Sequence, residues 1–284
     1  MGFMKEIHVD RITECVEKLC IDANYYLNPD IYNSMKTFLN AENSENGKTV
    51  LDILIKNADI ARNEGIAICQ DTGMAVVFLE VGQDVHIVGG NLYDAVNEGV
   101  RRGYRKGYLR ASVVKHPLKR VNTGDNTPAV IYTEIVDGDK IRIDVAPKGF
   151  GSENMSAVKM LKPSDGIDGV RDFVIKTVSD AGPNPCPPVI VGVGIGGTME
   201  KAALLSKKAL LRPVGSSSAD PDIAELEREL LCSINRLGIG PGGLGGNTTA
   251  LGVNIEVYPT HIAGLPVAVN IGCHATRHAS AIIE

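Results

Sequence analysis

Three cysteines of the chain, Cys69, Cys186 and Cys273, stand beside turn-forming residues, where a thiol can face a cleft. The first lies in "ICQDTG", the second between prolines in "GPNPCPP", and the third directly after "VAVNIG". Prolines hold the backbone around the second thiol rigidly, and thiolates are ligands of iron and zinc. The three residues are therefore candidates for a metal site. Their ordinary role, as small buried hydrophobic residues, stays an alternative at this point.

The spacing of the three thiols limits the kind of metal site that they could form. Cys186 follows Cys69 by 117 residues, and Cys273 follows Cys186 by 87 residues. Zinc fingers and ferredoxins take their ligands in close pairs or runs, so both are excluded. A [4Fe–4S] cluster that only carries electrons takes four thiolates, whereas three would leave one iron with an open position. An open position is a Lewis acid that can bind a substrate hydroxyl and help it to leave.

Length, composition and charge place the chain among globular proteins. Its 284 residues are enough for a large core, and 44% hydrophobic with 22% charged residues is typical of a globular domain. The net charge of −5 offers no basic field for a nucleic acid, although positive charge collects in 101–110. The longest apolar run, 187–197, is too short and too rich in glycine to span a bilayer. We expect neither nucleic acid nor membrane as a partner.

The first residues do not have the pattern of a secretory leader, because acidic residues stand where its apolar segment should follow. Gly2 is present, but Glu6 occupies the position where myristoylation requires Ser or Thr. We therefore expect a cytoplasmic protein without structural disulfides. The remaining cysteines lie in helical patterns and are expected to be ordinary buried residues: Cys15, Cys20 and Cys232.

The spacing of apolar residues predicts helices first and strands afterwards. Three helices are predicted in the first 65 residues, over 8–27, 29–40 and 48–63. Two hairpins are predicted to follow, one from strands 74–81 and 85–88, the other from strands 129–136 and 140–146. Helices and buried strands then alternate, with helices over 166–181, 198–211 and 222–236 and strands over 188–195, 250–258 and 265–272.

This order of elements predicts an α+β fold, with a helical N-terminal layer packed on mixed β-sheets that contain hairpins and crossover helices. No stretch has the composition of a linker between domains. We therefore expect one domain over 1–284, with a helical part at 1–65 and a mixed α+β body at 66–284 that carries the thiols.

Several segments together resemble one protein family. They read "ICQDTG", "NTGDNTPAVIYTEIV", "APKGFGSENMSAVKMLKPSDG", "GPNPCPP", "GVGIGGTMEKAALLSKKAL" and "GIGPGGLGGNTTALGVNIE", and they end in "PTHIAGLPVAVNIGCHATRH". They resemble the alpha subunits of the two-subunit, iron–sulfur class I fumarate hydratases and of the related L-tartrate dehydratases. The likeness covers roughly residues 5–284. The resemblance implies a [4Fe–4S] cluster on Cys69, Cys186 and Cys273.

The same resemblance implies a role for five further residues. Asp71 and His261 are the implied catalytic residues, and Gln70, Arg110 and Gly151 are the implied substrate-binding residues. Each has a structural alternative: "DTG" suits a turn, a lone histidine is often structural, and an arginine near a basic helix is often solvated. Relatives often have three glycines where this chain has Phe150, which leaves the exact glycine assignment open. The polar segment 122–126 could line a pocket or only shape a turn.

The reaction implied by the resemblance is the reversible loss of water from malate, which gives fumarate without redox change. L-tartrate dehydration is the alternative, and a non-enzymatic iron–sulfur sensor or electron carrier is a further one. In the family the best candidate for the base lies on a second subunit or C-terminal domain, together with a lysine and further arginines. We therefore expect a separate beta subunit to complete the site, in a dimer of alpha–beta pairs.

One motif favours a different function, dinucleotide binding. In "GVGIGG", Gly192, Gly194 and Gly197 match the dinucleotide fingerprint between a strand and a helix. That fingerprint also needs a second strand that ends in an acidic residue about twenty positions later. No apolar strand precedes Asp220 here. The motif is therefore better explained without a nucleotide.

Overall fold

The computed structural model of the chain describes residues 4–284, so Gly2 lies outside the described residues. By their internal contacts these residues form two compact units. The first unit comprises the described residues up to Leu27, Ile60–Phe150 and Arg277–Glu284, and the second comprises Asn28–Asp59 and Gly151–Thr276. The expectation of one domain over 1–284 stays a prediction, and each unit is described by itself.

Helices and strands are mixed along the chain, which confirms the predicted α+β class. The helices are α1 (Val9–Tyr25), α2 (Pro29–Ala41), α3 (Glu45–Glu64), α4 (Leu92–Lys106), α5 (Phe150–Glu153), α6 (Gly166–Ala181), α7 (Met199–Ala209) and α8 (Pro221–Asn235). The strands are β1 (Lys5–His8), β2 (Met74–Gly82), β3 (Val85–Val88), β4 (Val130–Val136), β5 (Ile141–Lys148), β6 (Ala157–Leu161), β7 (Val189–Gly196), β8 (Ala250–Tyr258), β9 (Leu265–Gly272) and β10 (Ala279–Ile283).

Side-chain caps and prolines explain where several helices begin. The side chain of Asp220 accepts hydrogen bonds from the backbone of Asp222 and Ile223, and Pro221 takes the first helical position of α8. In α2, Pro29 likewise takes the first helical position, directly after Asn28 at the cap position. These starts are local, so the sequence alone reveals them.

The expectation that the first 65 residues are entirely helical is wrong at β1. This strand runs parallel to β3, with Lys5 opposite Val85 and His8 opposite Val88. Its partner lies far along the chain, and four residues carry too short a pattern to be recognised on their own. Two other short strands, β6 and β10, were missed for the same reason.

Both predicted hairpins are wrong, because β2 takes other neighbours. The sheet of the first unit has the order β10-β5-β2-β4, so β2 lies between β4 and β5, and β3 pairs with β1. The turn around Gly138 crosses over the end of β2: Gly82 donates to Lys140 O at 2.8 Å and Asp84 donates to Gly138 O at 2.9 Å. A turn that joins adjacent strands and a turn that crosses a third strand have the same local sequence.

The core of the first unit lies between this sheet and helices α1 and α4. Its apolar residues include Ile12, Val16, Val96, Val100, Val77, Leu79, Ile141 and Ile143, all buried. The two helices approach closely because α4 presents Gly99 and Gly103, where a Cβ atom would lie 2.7 Å from carbonyl oxygens of α1. The arginines of α4 are in large part ion-paired at the surface, since Arg101 and Arg102 both bind Glu98.

The second unit is built on a sheet of order β6-β9-β7-β8, with helices on both faces. Val191 and Val193 of β7 belong to the core that α6 and α8 cover with Val174 and Leu230. Side chains alternate along a strand, so the residues between these valines face the other side, where α7 packs. Burial on both faces explains the nearly continuous apolar sequence of β7.

The glycines of "GVGIGG" are explained by this packing. A Cβ atom at Gly192 would lie 2.1 Å from Ser206 O, and one at Gly194 would lie 2.1 Å from Ala202 O, both in α7. Glycine is therefore required so that α7 can approach β7. The motif needs no nucleotide to account for it.

Gly194→Ala should lower the free energy of unfolding by about 1–3 kcal/mol, because the added methyl group would clash with the backbone of α7. Gly264→Ala is the matched control, since a Cβ atom there meets only ordinary contacts, the nearest at 3.8 Å. Urea unfolding of both variants measures the difference. Equal stability of the two would contradict the packing argument.

None of the helices in residues 4–284 combines the length and the apolar character needed to cross a membrane.

Candidate functional site

The residues predicted for the site divide between the two units. The first unit holds Cys69, Gln70, Asp71 and Arg110, and the second holds Gly151, Cys186, His261 and Cys273. All six cysteines, each within the described residues, are thiols rather than disulfides. Neither unit, in its described part, gathers three His, Cys, Asp or Glu side chains as a preformed metal site.

In the first unit, Asp71 ties the segment after Cys69 to the end of β5. One carboxylate oxygen accepts a hydrogen bond from Gly73 N at 3.0 Å, and the other accepts one from Phe150 N at 2.9 Å. Gly149 leaves room for this contact, since a Cβ atom there would lie 3.2 Å from Oδ2 of Asp71. Asp71 therefore has the structural role considered as its alternative, and the implied catalytic role, which is compatible with it, stays a prediction. Each oxygen still has a second lone pair for a ligand.

Arg110 is held next to this segment through its backbone. The buried hydroxyl of Thr72 accepts a hydrogen bond from Arg110 N at 2.8 Å and donates one to Arg110 O at 3.2 Å. The side chain of Arg110 is exposed, and in the described part of the first unit its guanidinium has no hydrogen bond or ion pair. Arg110 thus differs from Arg101 and Arg102, and its guanidinium is available to a carboxylate.

Two buried side chains hold this segment in place: Tyr104, for which no role was predicted, and Asn126 of the polar segment 122–126. The hydroxyl of Tyr104 contacts the carbonyl oxygens of Thr72 and Gly73 at 2.8 and 3.0 Å. Burial raises the pKa of Tyr104 well above its usual value, so the hydroxyl keeps its proton and donates. Asn126 donates to Gly73 O at 3.2 Å and accepts from Ser112 N at 2.8 Å. A tyrosine at an apolar helix position carries no sequence signal for this role.

A second residue without a predicted role is Arg277, which is only 4% exposed and donates a hydrogen bond to Asp71 O. It lies four residues after Cys273 in the chain, in the motif "CHATRH". Arg277 therefore ties the C-terminal segment of the first unit to the segment that follows Cys69. This arginine lies within the segment that resembles the family, but no role was predicted for it.

Cys69 itself is half-buried, and its sulfur lies 3.3 Å from Oε1 of Gln70. Gln70 is exposed. The thiol and the amide that follows it are therefore neighbours, as the adjacent positions in the motif predict.

In the second unit the loops that carry Cys186 and Cys273 are bonded to each other. His274 donates from its backbone to Cys186 O at 3.4 Å, and its ring Nδ1 lies 3.0 Å from the same oxygen. The pairing of β7 with β9 places Ile190 opposite Gly272, so the start of one strand meets the end of the other. Two of the three predicted thiols therefore lie at the same end of this sheet.

The backbone at Cys186 has an unusual conformation, with φ of 56°, which residues other than glycine seldom adopt. The turn is closed by a hydrogen bond from Cys186 N to Pro183 O at 3.1 Å. Gly151 lies beside this turn, since a Cβ atom there would be 3.8 Å from Asn184 O. The exposed thiol of Cys186 and the predicted glycine contact thus share one region of the second unit.

His261 lies away from this region. It is exposed in the turn before β9, where its ring accepts a hydrogen bond from Ala263 N at 3.1 Å. Cys273 follows the other end of β9, and a strand of eight residues has ends roughly 23 Å apart. Within its own unit, His261 therefore does not reach the pair of thiols.

The polar segment 122–126 shapes a turn. Asp125 binds Arg101 at 2.9 Å and accepts hydrogen bonds from the backbone and hydroxyl of Thr127 at 3.0 and 2.8 Å. Burial alone would raise the pKa of Asp125, but the hydrogen bonds from Arg101 and Thr127 outweigh it and lower the pKa to about 2.

Asp125→Asn should therefore lower the free energy of unfolding at pH 7 by roughly 1 kcal/mol, because a partly exposed ion pair is lost. A depressed pKa stabilises the fold above the unfolded value of 3.8, and this contribution disappears as the pH falls through about 2. The difference from the unchanged chain should shrink over that range in urea unfolding. Asp137→Asn, exposed in the turn between β4 and β5, serves as control, and a difference that is constant with pH would refute the assignment.

Comparisons with known proteins agree on one family. The family described as fumarate hydratase (Fumerase) matches residues 13–282. The "Putative L(+)-tartrate dehydratase subunit alpha" of Methanocaldococcus jannaschii is 45% identical over 278 residues, 95% of this chain and 96% of the relative. The "L(+)-tartrate dehydratase subunit alpha" of Escherichia coli O157:H7 is 37% identical over 284 residues, 99% of this chain and 93% of the relative. The resemblance seen in the motifs is confirmed, and the chain belongs to the fumarate hydratase family of hydro-lyases.

Proposed function

We propose that the chain is the alpha subunit of an enzyme that reversibly removes water from a four-carbon hydroxy dicarboxylate. The observation that carries the proposal is the bonding of the Cys186 and Cys273 loops by His274, which brings two candidate ligands to one end of a sheet. Malate, with fumarate as product, is supported by the description of the family. L-tartrate is supported by the names of the relatives, and it is the alternative substrate.

We infer that Cys69, Cys186 and Cys273 hold a [4Fe–4S] cluster. The donor set fits, because three thiols are present at an exposed or half-buried position, and thiolates are the ligands that such clusters take. When bound with three thiolates, the cluster supplies an iron with an open coordination position that acts as a Lewis acid.

The other residues of the first unit bind and orient the substrate in this proposal. Arg110 presents a guanidinium that can pair with a carboxylate through two hydrogen bonds. Gln70 donates from its amide, and Asp71, fixed by Gly73 and Phe150, orients the ligand by its remaining lone pairs. Gly151 leaves the backbone beside the Cys186 turn open to a ligand. The catalytic role of His261 stays a prediction that the contacts of its own unit do not support.

A beta subunit is the proposed partner, because the relatives are named as alpha subunits. We expect it to supply the base and further cations, in a dimer of alpha–beta pairs. A cytoplasmic location also belongs to the proposal, since the candidate ligands must remain thiols and a reducing compartment keeps them so.

Anaerobic reconstitution with iron and sulfide, with and without the cognate beta subunit, tests the proposal. Assays on malate, fumarate and both enantiomers of tartrate should show turnover only when both subunits are present. The substrate with the highest kcat/KM then decides between a fumarate hydratase and an L-tartrate dehydratase. Full activity of the chain alone would refute the need for a partner. An air-sensitive visible absorption band without hydro-lyase activity in the complete mixture would favour the sensor or electron carrier.

A further inference from the structure

The glycine-rich loop 238–249 packs against the turn that carries Cys186. Gly242 donates a hydrogen bond to Pro187 O at 2.8 Å, directly after the cysteine. Before the cysteine, Gly243 approaches Pro183 so closely that a Cβ atom would lie 2.3 Å from Cβ of the proline. The loop therefore contacts the turn on both sides of Cys186.

The other side of this loop contacts a buried carboxylate. Glu42 is 2% exposed, and its Oε1 accepts hydrogen bonds from the backbone of Asn43, Ser44 and Asn247 at 2.9, 2.9 and 3.0 Å. A Cβ atom at Gly246 would lie 2.6 Å from the same oxygen, so only glycine leaves this space. Glu42 thus bonds the end of α2 to the second half of the loop.

The hydrogen bonds keep this carboxylate charged although it is buried. Burial by itself would raise the pKa of Glu42, but the nearby hydroxyl of Thr248 and the hydrogen bonds from the backbone of Ser44, Asn247 and Asn43 outweigh burial and lower the pKa. Several glycines of the loop have positive φ values, among them Gly242 at 64° and Gly243 at 74°. Glycine-rich backbone loses much entropy on ordering, so such a loop needs an anchor if it is to hold a neighbour in place.

We propose that Glu42 is a positioning residue for Cys186, and that it acts through the glycine-rich loop. The inference rests on the proposed function, in which Cys186 is a cluster ligand whose sulfur must be held in place. The contacts run from Glu42 to Asn247, through the loop to Pro183 and Pro187, and so to Cys186. All of these residues belong to the second unit.

A first pair of variants tests the contact between the loop and the turn. Gly243 and Gly245 have similar positive φ values, 74° and 84°, so alanine strains the backbone at both. A Cβ atom at Gly243 would clash with Pro183, whereas one at Gly245 would meet nothing within 4 Å. Gly243→Ala should displace the Cys186 turn, and Gly245→Ala should not.

A second pair tests the carboxylate. Glu42→Gln replaces an acceptor by an amide that faces backbone donors, which weakens the anchor without a change in side-chain length. Glu45→Gln removes the same charge nearby, from an exposed side chain whose partner is Lys48. Glu42→Gln should change the rate at which the Cys186 thiol is modified, and Glu45→Gln should leave that rate unchanged.

The measurement is the rate at which N-ethylmaleimide modifies each cysteine of the full chain without iron, resolved by peptide mass spectrometry. Cys69, in the other unit, is the internal reference. The labelling is repeated at several low urea concentrations, because modification through unfolding accelerates with urea and modification of the folded state does not. We expect a several-fold change in the ratio of the Cys186 rate to the Cys69 rate in Gly243→Ala and Glu42→Gln that is the same at each of these urea concentrations. A destabilised second unit without a positioning effect would instead give a ratio that rises with urea.

The inference is overturned if Gly243→Ala and Glu42→Gln leave this ratio equal to that of their controls, or if the ratio differs from the controls only as urea is added. If Gly243→Ala does not fold, the comparison of Glu42→Gln with Glu45→Gln decides alone. The labelling needs neither cluster, substrate nor beta subunit. Failure of the proposed function and failure of this inference are therefore distinguishable.

Discussion

Serine in place of Cys69, Cys186 or Cys273 should each reduce hydro-lyase activity of the reconstituted two-subunit enzyme by more than about 100-fold. Loss of a residue that only supports a metal ligand costs about 10- to 100-fold, so loss of the ligand itself should cost more. A hydroxyl is a much poorer iron ligand than a thiolate. Iron and sulfide bound per chain should fall together with the activity, and both are measured on anaerobically reconstituted protein.

Cys232→Ser is the matched control for these three variants. We expected this residue to be buried, which is wrong: Cys232 is exposed on α8, as Cys186 is exposed on its turn. The control therefore removes an accessible thiol without touching the proposed site, and it should keep full activity and full iron content. If Cys232→Ser lost the cluster, or if any one of the three proposed ligands proved dispensable, the assigned ligand set would be wrong.

Arg110→Ala should lower kcat/KM by about 10- to 150-fold. A hydrogen bond to a charged group is worth about 1.5–3 kcal/mol, and each 1.36 kcal/mol corresponds to a factor of ten. Its guanidinium is exposed, while its backbone N–H and carbonyl oxygen are both hydrogen-bonded to the hydroxyl of Thr72. The substitution should therefore remove a substrate contact without unfolding the segment. Steady-state kinetics on malate and on L-tartrate measure the effect.

Two further variants make the assignment of Arg110 specific. Arg110→Lys keeps the charge but loses the paired hydrogen bonds of the guanidinium, so its kcat/KM should lie between those of the alanine variant and the unchanged enzyme. Arg105→Ala removes an exposed arginine of α4 and should leave kcat/KM unchanged. Equal effects of Arg105→Ala and Arg110→Ala would indicate a general loss of positive charge rather than a substrate contact.

The helices and the buried strands could be predicted because their signals are local. The asparagine–proline start of α2, the cap at Asp220 and the apolar runs of β7, β8 and β9 all appear within a few residues of sequence. Strand partners could not be predicted in this way. The turn at Gly138 has good hairpin chemistry, yet it crosses over β2, because that strand buries both faces and takes a partner on each edge.

The sequence by itself determined which residue types are available for chemistry: three thiols in turns, a carboxylate and an amide after the first, and a nearby arginine. Only the tertiary structure revealed that His274 bonds the loops of Cys186 and Cys273, that Arg277 and Tyr104 hold the segment after Cys69, and that His261 lies at the far end of β9. The reason is physical. Backbone carbonyls accept these hydrogen bonds, and a carbonyl is present at every residue, so no side-chain pattern reveals which one will be used.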